Sequence, residues 1–268
     1  MIDFALRIGV FLLVFSSLLV WQWRRPRASL LQWRQRWRHN IVLLMLGALC
    51  VRIVQPLLLS LVAVSSQNFG LLKALDLPFW SIILLSILLL DCVIYWQHRL
   101  FHSVPFLWRL HRVHHSDPEL DVSSAIRFHP IEIVLSLVIK AIAVLLLGIP
   151  IEAVLIFDVL LNASAMFNHT NARLPSRMEL LIQHLVITPD MHRIHHSRVS
   201  EETNSNYGFF LSIWDAMFRS KREKALQGDE NLSIGFPGTK TYQPESLIDI
   251  LVMPFKTFKK SDFKKRPR

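Results

Sequence analysis

The feature that most constrains this chain is the placement of its histidines. All twelve except His39 fall between His98 and His196, and eight of them form three spaced groups. His98 and His102 read HxxxH, while His111, His114 and His115 read HxxHH, a pattern repeated by His192, His195 and His196. Residues three and four apart share a helix face, so each group aims its imidazoles at one place. Three such groups make a metal cage. Neutral imidazole suits iron, zinc, copper or nickel, and eight rings are too many for one ion. Four or five rings per ion imply two metals, with His169 as a natural ninth ligand and positions left open for oxygen or water.

With 268 residues, 52% hydrophobic content and a positive mean hydropathy, the chain is too apolar for an ordinary soluble domain. It reads as one all-α integral membrane bundle. A net charge of +10 on a soluble protein would suggest nucleic acid. Here the arginines stand in blocks beside apolar runs, which fits membrane orientation and acidic lipid head groups instead, with no nucleic-acid partner. Cys50 and Cys92 both lie within apolar runs, so neither a disulfide framework nor a thiolate metal site is expected.

About five apolar spans are expected, near residues 4–21, 41–64, 79–102, 130–148 and 150–167. The first is read as a retained span, since Arg7 lies within its start and no small-residue cleavage site follows before Trp21 and Trp23. Residues 24–39 form an arginine- and tryptophan-rich loop that the positive-inside rule places in the cytoplasm. Alternation of the spans then puts His98, His102 and His169 on that same face, where residues 103–129 and 170–220 deliver the other histidines. Gly148-Ile149-Pro150 is a turn short enough only for a hairpin. The reading divides the chain into N-terminal spans (1–78), a catalytic part (79–220) and a basic tail (221–268).

Four charges fall inside spans: Arg52, Asp91, Lys140 and Asp158. Each lies about ten residues, roughly 15 Å, from the cytoplasmic end. They form either one ion-pair layer beneath the metal, with Asp91 nearest to it, or simple pairwise bridges.

The motifs narrow the chemistry. A zinc protease places a glutamate inside HExxH, and His98-Arg99-Leu100-Phe101-His102 has none. A heme needs only two axial ligands, not the doublets His114-His115 and His195-His196. A metal transporter would carry its ligands within the spans.

The residues around the histidines resemble the fatty acid hydroxylase and sterol desaturase superfamily. The likeness rests on His111-Arg112-Val113-His114-His115-Ser116-Asp117, on Arg127-Phe128-His129-Pro130-Ile131-Glu132, and on Thr188-Pro189-Asp190-Met191-His192-Arg193-Ile194-His195-His196-Ser197. Asn206-Tyr207-Gly208 and Trp214-Asp215-Ala216-Met217-Phe218 extend it, so it covers about residues 85–220. The resemblance implies a non-heme site with two ferrous ions that uses O2 to hydroxylate, or desaturate, an unactivated carbon of a lipid such as a fatty acyl chain or sterol. It assigns His98, His102, His111, His114, His115, His192, His195 and His196 as ligands and adds His169 as a further one. His129 is either a tenth ligand or an interfacial cap, and His184 is expected to be structural. Zinc is a conceivable substitute metal.

Acids close in sequence to the ligands, Asp91, Asp117, Asp121, Glu132 and Asp190, are candidates for orienting the imidazoles through their second nitrogen, or else for pairing with nearby arginines. The arginines within the motifs, Arg99, Arg112 and Arg193, fit either phosphate head groups or salt bridges. No cysteine cluster, dinucleotide fingerprint or heme module occurs in the chain, so electrons are expected from a separate reductase, ferredoxin or cytochrome. The expected setting is a bilayer such as a bacterial inner membrane, with the site on the cytoplasmic face. Two other classes remain open: a metal- or lipid-binding membrane protein without turnover, and a zinc hydrolase on the same scaffold.

Overall fold

The computed structural model describes residues 2–65, 70–236 and 246–257; the basic tail from residue 258 lies outside them. Five long helices build the membrane bundle: α1 (Ile2–Arg24), α2 (Trp33–Ser65), α3 (Phe79–Ser103), α5 (Pro130–Leu147) and α6 (Ile151–His169), with the short α4 (Pro105–His115) between the third and the fourth of these. Four of them are long and apolar enough to cross a membrane, and the apolar part of α1 described with side chains, Ile8–Arg24, is somewhat shorter. Among the described residues there are no strands, only three isolated bridges. Short helices α7 (Ser176–Ile182), α8 (Pro189–His195), α9 (Ser200–Thr203), α10 (Ile213–Met217) and α11 (Leu247–Val252) complete the cap.

Prolines set several of the boundaries. Pro105, Pro130 and Pro189 occupy the first turns of α4, α5 and α8, where the missing amide hydrogen has no intrahelical partner to lose. Val104 alone separates α3 from α4, and this corner brings the HxxxH of one helix against the HxxHH of the next. At the opposite end of the bundle, Gly148 closes α5 in the left-handed conformation, with φ 70°. Its α-carbon packs so closely on Gly70 that a Cβ there would lie 2.9 Å from the Gly70 α-carbon, a contact only glycine allows. The hairpin turn expected at Gly148-Ile149-Pro150 is therefore present.

The bundle packs α2 along α5, α3 against α4, α5 and α6, and α1 against α6. Leu72, Ile83, Leu90, Ile94, Ile149, Ala153 and Phe157 form an apolar core that runs from the Gly148 turn toward the cap. Val122, Ala125, Ala165 and Met166 form another, covered by Phe11, Phe15 and Trp37.

One expectation is corrected, and of two alternatives the pairwise one is found for Lys140 and Asp158. The basic stretch is not a loop throughout, because α2 begins at Trp33 and turns Arg36 inward to 3% exposure. The four charges in the spans do not make one layer. Lys140 pairs with Asp158 at 2.5 Å between α5 and α6, and Arg52 is exposed on α2. Asp91 instead accepts hydrogen bonds from the Trp214 indole at 2.8 Å and the Leu211 amide at 3.1 Å. Its role is to tie the segment after the last histidine group to α3.

Removing one member of the Lys140–Asp158 pair strands a charge in hydrocarbon. Lys140→Met or Asp158→Asn alone is expected to cost about 3–5 kcal/mol, and the two together less than either alone. Thermal unfolding of the three variants in detergent checks this.

Candidate metal centre

Nine histidines converge at the cap end of the bundle in two groups. His98, His102, His111, His115 and His195 form one, and His114, His169, His192 and His196 the other; within each, the candidate ligand nitrogens lie within 4.8 Å of one another. All are buried except His102, which is partly so. The His115 and His196 rings stack at 4.4 Å between centroids and join the two groups. All eight patterned histidines and His169 are thus brought together.

Five of the nine rings are aimed by what their outer nitrogen meets. Carbonyl oxygens lie beside the Nδ1 atoms of His98 (Tyr207, 2.7 Å), His195 (Ser205, 2.7 Å), His169 (Ala165, 2.6 Å) and His114 (Arg127, 3.2 Å). The Nδ1 of His111 meets the Glu132 carboxylate at 2.6 Å. A carbonyl can only accept, so the Nδ1 atoms of His98, His195, His169 and His114 carry the proton and leave Nε2 as a bare lone pair. Those lone pairs face one another. The two on His114 and His169 lie 3.1 Å apart, and the Nε2 atoms of His98 and His111 are 3.0 Å apart. Lone pairs held that close repel unless a cation lies between them, so this donor set fits metal ions.

Burial is the main reason the rings of His114, His115, His192, His195 and His196 are held well below their ordinary pKa, with repulsion among neighbouring imidazoles adding to it. Burial brings His111 to about 3. Neutral rings are the form a metal requires. The sign for stability follows from linkage: the unfolded chain takes up protons below about pH 6.5, while the folded one resists them. Metal-free protein is expected to lose stability as pH falls below about 6.5, with a slope approaching about 1.4 kcal/mol per pH unit by pH 5 for each histidine kept neutral. Thermal midpoints across that range check the slope.

His129 is not among the nine. It caps α5, its Nδ1 accepting from the Ile131 amide at 3.2 Å, and its Nε2 lies 3.1 Å from the Leu251 carbonyl. Its ring therefore has partners on both sides and is directed away from the cage. His184 is exposed. Of the acids, only Glu132 touches a histidine. Asp117, fully buried, holds Arg36 at 2.9 Å and Ser124 at 2.7 Å, and Asp121 caps the 3-10 turn Val122–Ile126 while accepting from Arg36 and Trp37. The Arg36 guanidinium keeps the Asp117 carboxyl below its ordinary value against the opposing effect of burial. Asp190 pairs with Arg27.

Several supports were not read from the sequence. Arg127, 1% exposed, binds the Val113 carbonyl, Asn40 and Ser116, which fixes the carbonyl that receives His114. Asp215 accepts from the Tyr207 and Gly208 amides, both at 2.8 Å, and from Ser220 at 2.6 Å, so it holds the peptide whose carbonyl orients His98. Asn206, with φ 51°, bridges Met191 and Arg222. The motif blocks after the last histidines carried the signal, but not the role of each residue.

The family model for fatty acid hydroxylase matches residues 83–220. The chain belongs to the fatty acid hydroxylase family. It is 33% identical over 136 residues to the ornithine lipid hydroxylase OlsE of Rhizobium tropici, covering 50% of this chain and 40% of that protein. It is 31% identical over 138 residues to the alkylglycerol monooxygenase of Homo sapiens, covering 50% of this chain and 30% of the relative. The alkylglycerol monooxygenase of Caenorhabditis elegans is 31% identical over 152 residues, covering 55% and 29%. The chain thus spans well under half the length of these curated relatives. No solved structure matches.

Proposed function

We propose that this member of the family is a membrane oxygenase that hydroxylates, or desaturates, an unactivated carbon of a lipid, using O2, two ferrous ions and external electrons. The observation that carries the reading is the pair of buried histidine groups whose Nε2 atoms face one another at the end of an apolar bundle. Relatives named as lipid hydroxylase and monooxygenase support the same class of reaction. Residues 79–220 form its catalytic part, with residues 1–78 and 221–268 as supports.

His98, His102, His111, His115 and His195 would hold one ion, and His114, His169, His192 and His196 the other. Iron supplies the one-electron redox chemistry needed to activate O2 for attack on a C–H bond, which no side chain here provides. The protein's share is position and dryness. Five Nδ1 contacts lock ring orientation, and Glu132 raises the basicity of His111. Phe128 stacks on His114 at 4.5 Å and Phe209 lies 4.9 Å from His98. Both are half-buried, and Phe209 also packs on the apolar cores of the bundle, so it continues the hydrocarbon surface up to the cage. A lipid chain entering from the bilayer would meet the metals there while water is kept out. The electrons come from a separate reductase, ferredoxin or cytochrome. The site faces the cytoplasm, in a membrane such as the bacterial inner membrane, as the arginine-rich residues 24–39 at the same end of the bundle support.

Comparative lipid mass spectrometry of cells with and without the gene tests the reading. A species heavier by one oxygen marks a hydroxylase and one lighter by two hydrogens a desaturase. An unchanged lipid profile in cells that carry the metal-loaded protein contradicts both.

A further inference from the structure

Three arginines stand inside the histidine motifs, and the structure separates their roles. Arg99 donates to the Tyr95 hydroxyl at 3.0 Å and the Phe218 carbonyl at 3.2 Å. Arg112 donates to the carbonyls of Met253 and Lys256. Arg193 is 8% exposed, and its guanidinium makes no hydrogen bond or ion pair among the described residues. A buried, fully charged group without a partner is costly to keep, and a guanidinium presents a planar fork of donors suited to an oxyanion.

The surroundings of Arg193 favour a bound anion. Three segments meet there. Pro26 bridges Ala172, and the Arg27 amide donates to the Asn171 carbonyl at 3.0 Å, which lays the start of the α1–α2 connection beside the residues after α6. Arg27 and Arg173 come from these segments; their charges act on Arg193, as does that of Asp229 with the opposite sign. The neighbouring carboxylates are taken up elsewhere. Asp190 and Asp229 both pair with Arg27, the latter at 3.5 Å, and Glu179 accepts from Thr188. Arg173 is exposed and has no hydrogen bond or ion pair among the described residues. On α8, Arg193 directly follows His192 and precedes His196 by three residues, so it flanks the four-histidine group.

We infer that Arg193, with Arg173, forms an anion site for the acidic head group, a phosphate or carboxylate, of the lipid that the metal centre oxidises. This rests on the lipid-oxygenase reading and adds to it a substrate class: a lipid with an oxyanion near its oxidised carbon. Charge-assisted bonds from a guanidinium fork hold such a group in one orientation, which fixes the position of the chain relative to the metals.

Calorimetric titration of the full-length, metal-loaded protein in neutral detergent tests the site, with dioctanoyl phosphatidic acid, uncharged dioctanoylglycerol and inorganic phosphate as probes. The acidic lipid is expected to bind at least tenfold more tightly than the uncharged one. Arg193→Gln should bring that ratio close to one with metal content unchanged, Arg193→Lys should keep part of it, and Arg173→Gln should reduce it several-fold. An equal affinity of the parent protein for the two lipids overturns the inference, as does a ratio that survives Arg193→Gln. Inorganic phosphate binding as tightly as the acidic lipid overturns it too, because the site would then take a free anion. If Arg193→Gln does not fold, the parent's ratio and the Arg173→Gln titration decide. Oxygen uptake with a neutral lipid is measured alongside: uptake without the charge preference sinks this site alone, and the preference without uptake sinks the oxygenase reading.

Discussion

His169→Ala is expected to lower the iron content from two ions per chain to about one and to abolish lipid oxidation. His169 belongs to the smaller group, where its Nε2 lies 3.0 Å from that of His192 and 3.1 Å from that of His114. Its loss leaves three rings for an ion that had four, while the five-histidine group keeps all its members. His129→Ala is the control. It removes a helix cap, at a cost of about 1 kcal/mol in stability, and should leave both irons in place. Iron analysis of the two variants after anaerobic purification, with unfolding midpoints to show that both are folded, separates a ligand from a cap.

Glu132→Gln is expected to weaken iron retention by about 10–100-fold, the usual effect of losing a partner behind a metal-bound histidine. The carboxylate stands 2.6 Å from the His111 Nδ1 and is 4% exposed, so the ring has no water to replace it with. Glutamine keeps the shape but replaces the carboxyl that shares the Nδ1 proton of His111 with a neutral amide. Asp117→Asn should behave differently. Asp117 reaches no histidine and instead anchors Arg36 of α2, so its loss should lower the unfolding midpoint more than it lowers metal affinity. Rates of iron loss to a chelator, compared with thermal midpoints for both variants, distinguish the two.

What the sequence disclosed follows from the range of the interactions. The three histidine groups were legible because three- and four-residue spacings on a helix are local, and the bundle's spans because hydropathy is local as well. His169 lay outside the repeated pattern yet closes the second group, as its place at the end of α6 suggested. The choice among Asp117, Asp121, Glu132 and Asp190 was open in sequence because all four are near a ligand along the chain, and only the direction of the first turn of α5 turns Glu132 toward His111. Arg36 and Asp117 are 81 residues apart, and Tyr95 and Ser220 are 125 apart; contacts of that separation leave no periodic trace. Asp91 shows the same limit. It is buried with Tyr95 and His98 on α3, but its partners Leu211 and Trp214 come from a segment that no local pattern links to that helix. The depth of Arg52, Asp91, Lys140 and Asp158 along their helices was similar, but depth fixes no direction around a helix axis, so only Lys140 and Asp158 meet.

If the two histidine groups hold iron for oxygen chemistry on a lipid, iron, oxygen and lipid must be consumed or required together. The most direct measurement of this is oxygen uptake by anaerobically purified, metal-quantified protein given a reductant and a membrane lipid extract. The expected result is two irons per chain, with uptake that requires both iron and lipid and is matched by oxidised lipid. Two zinc ions per chain supporting lipid turnover without any oxygen uptake would contradict it.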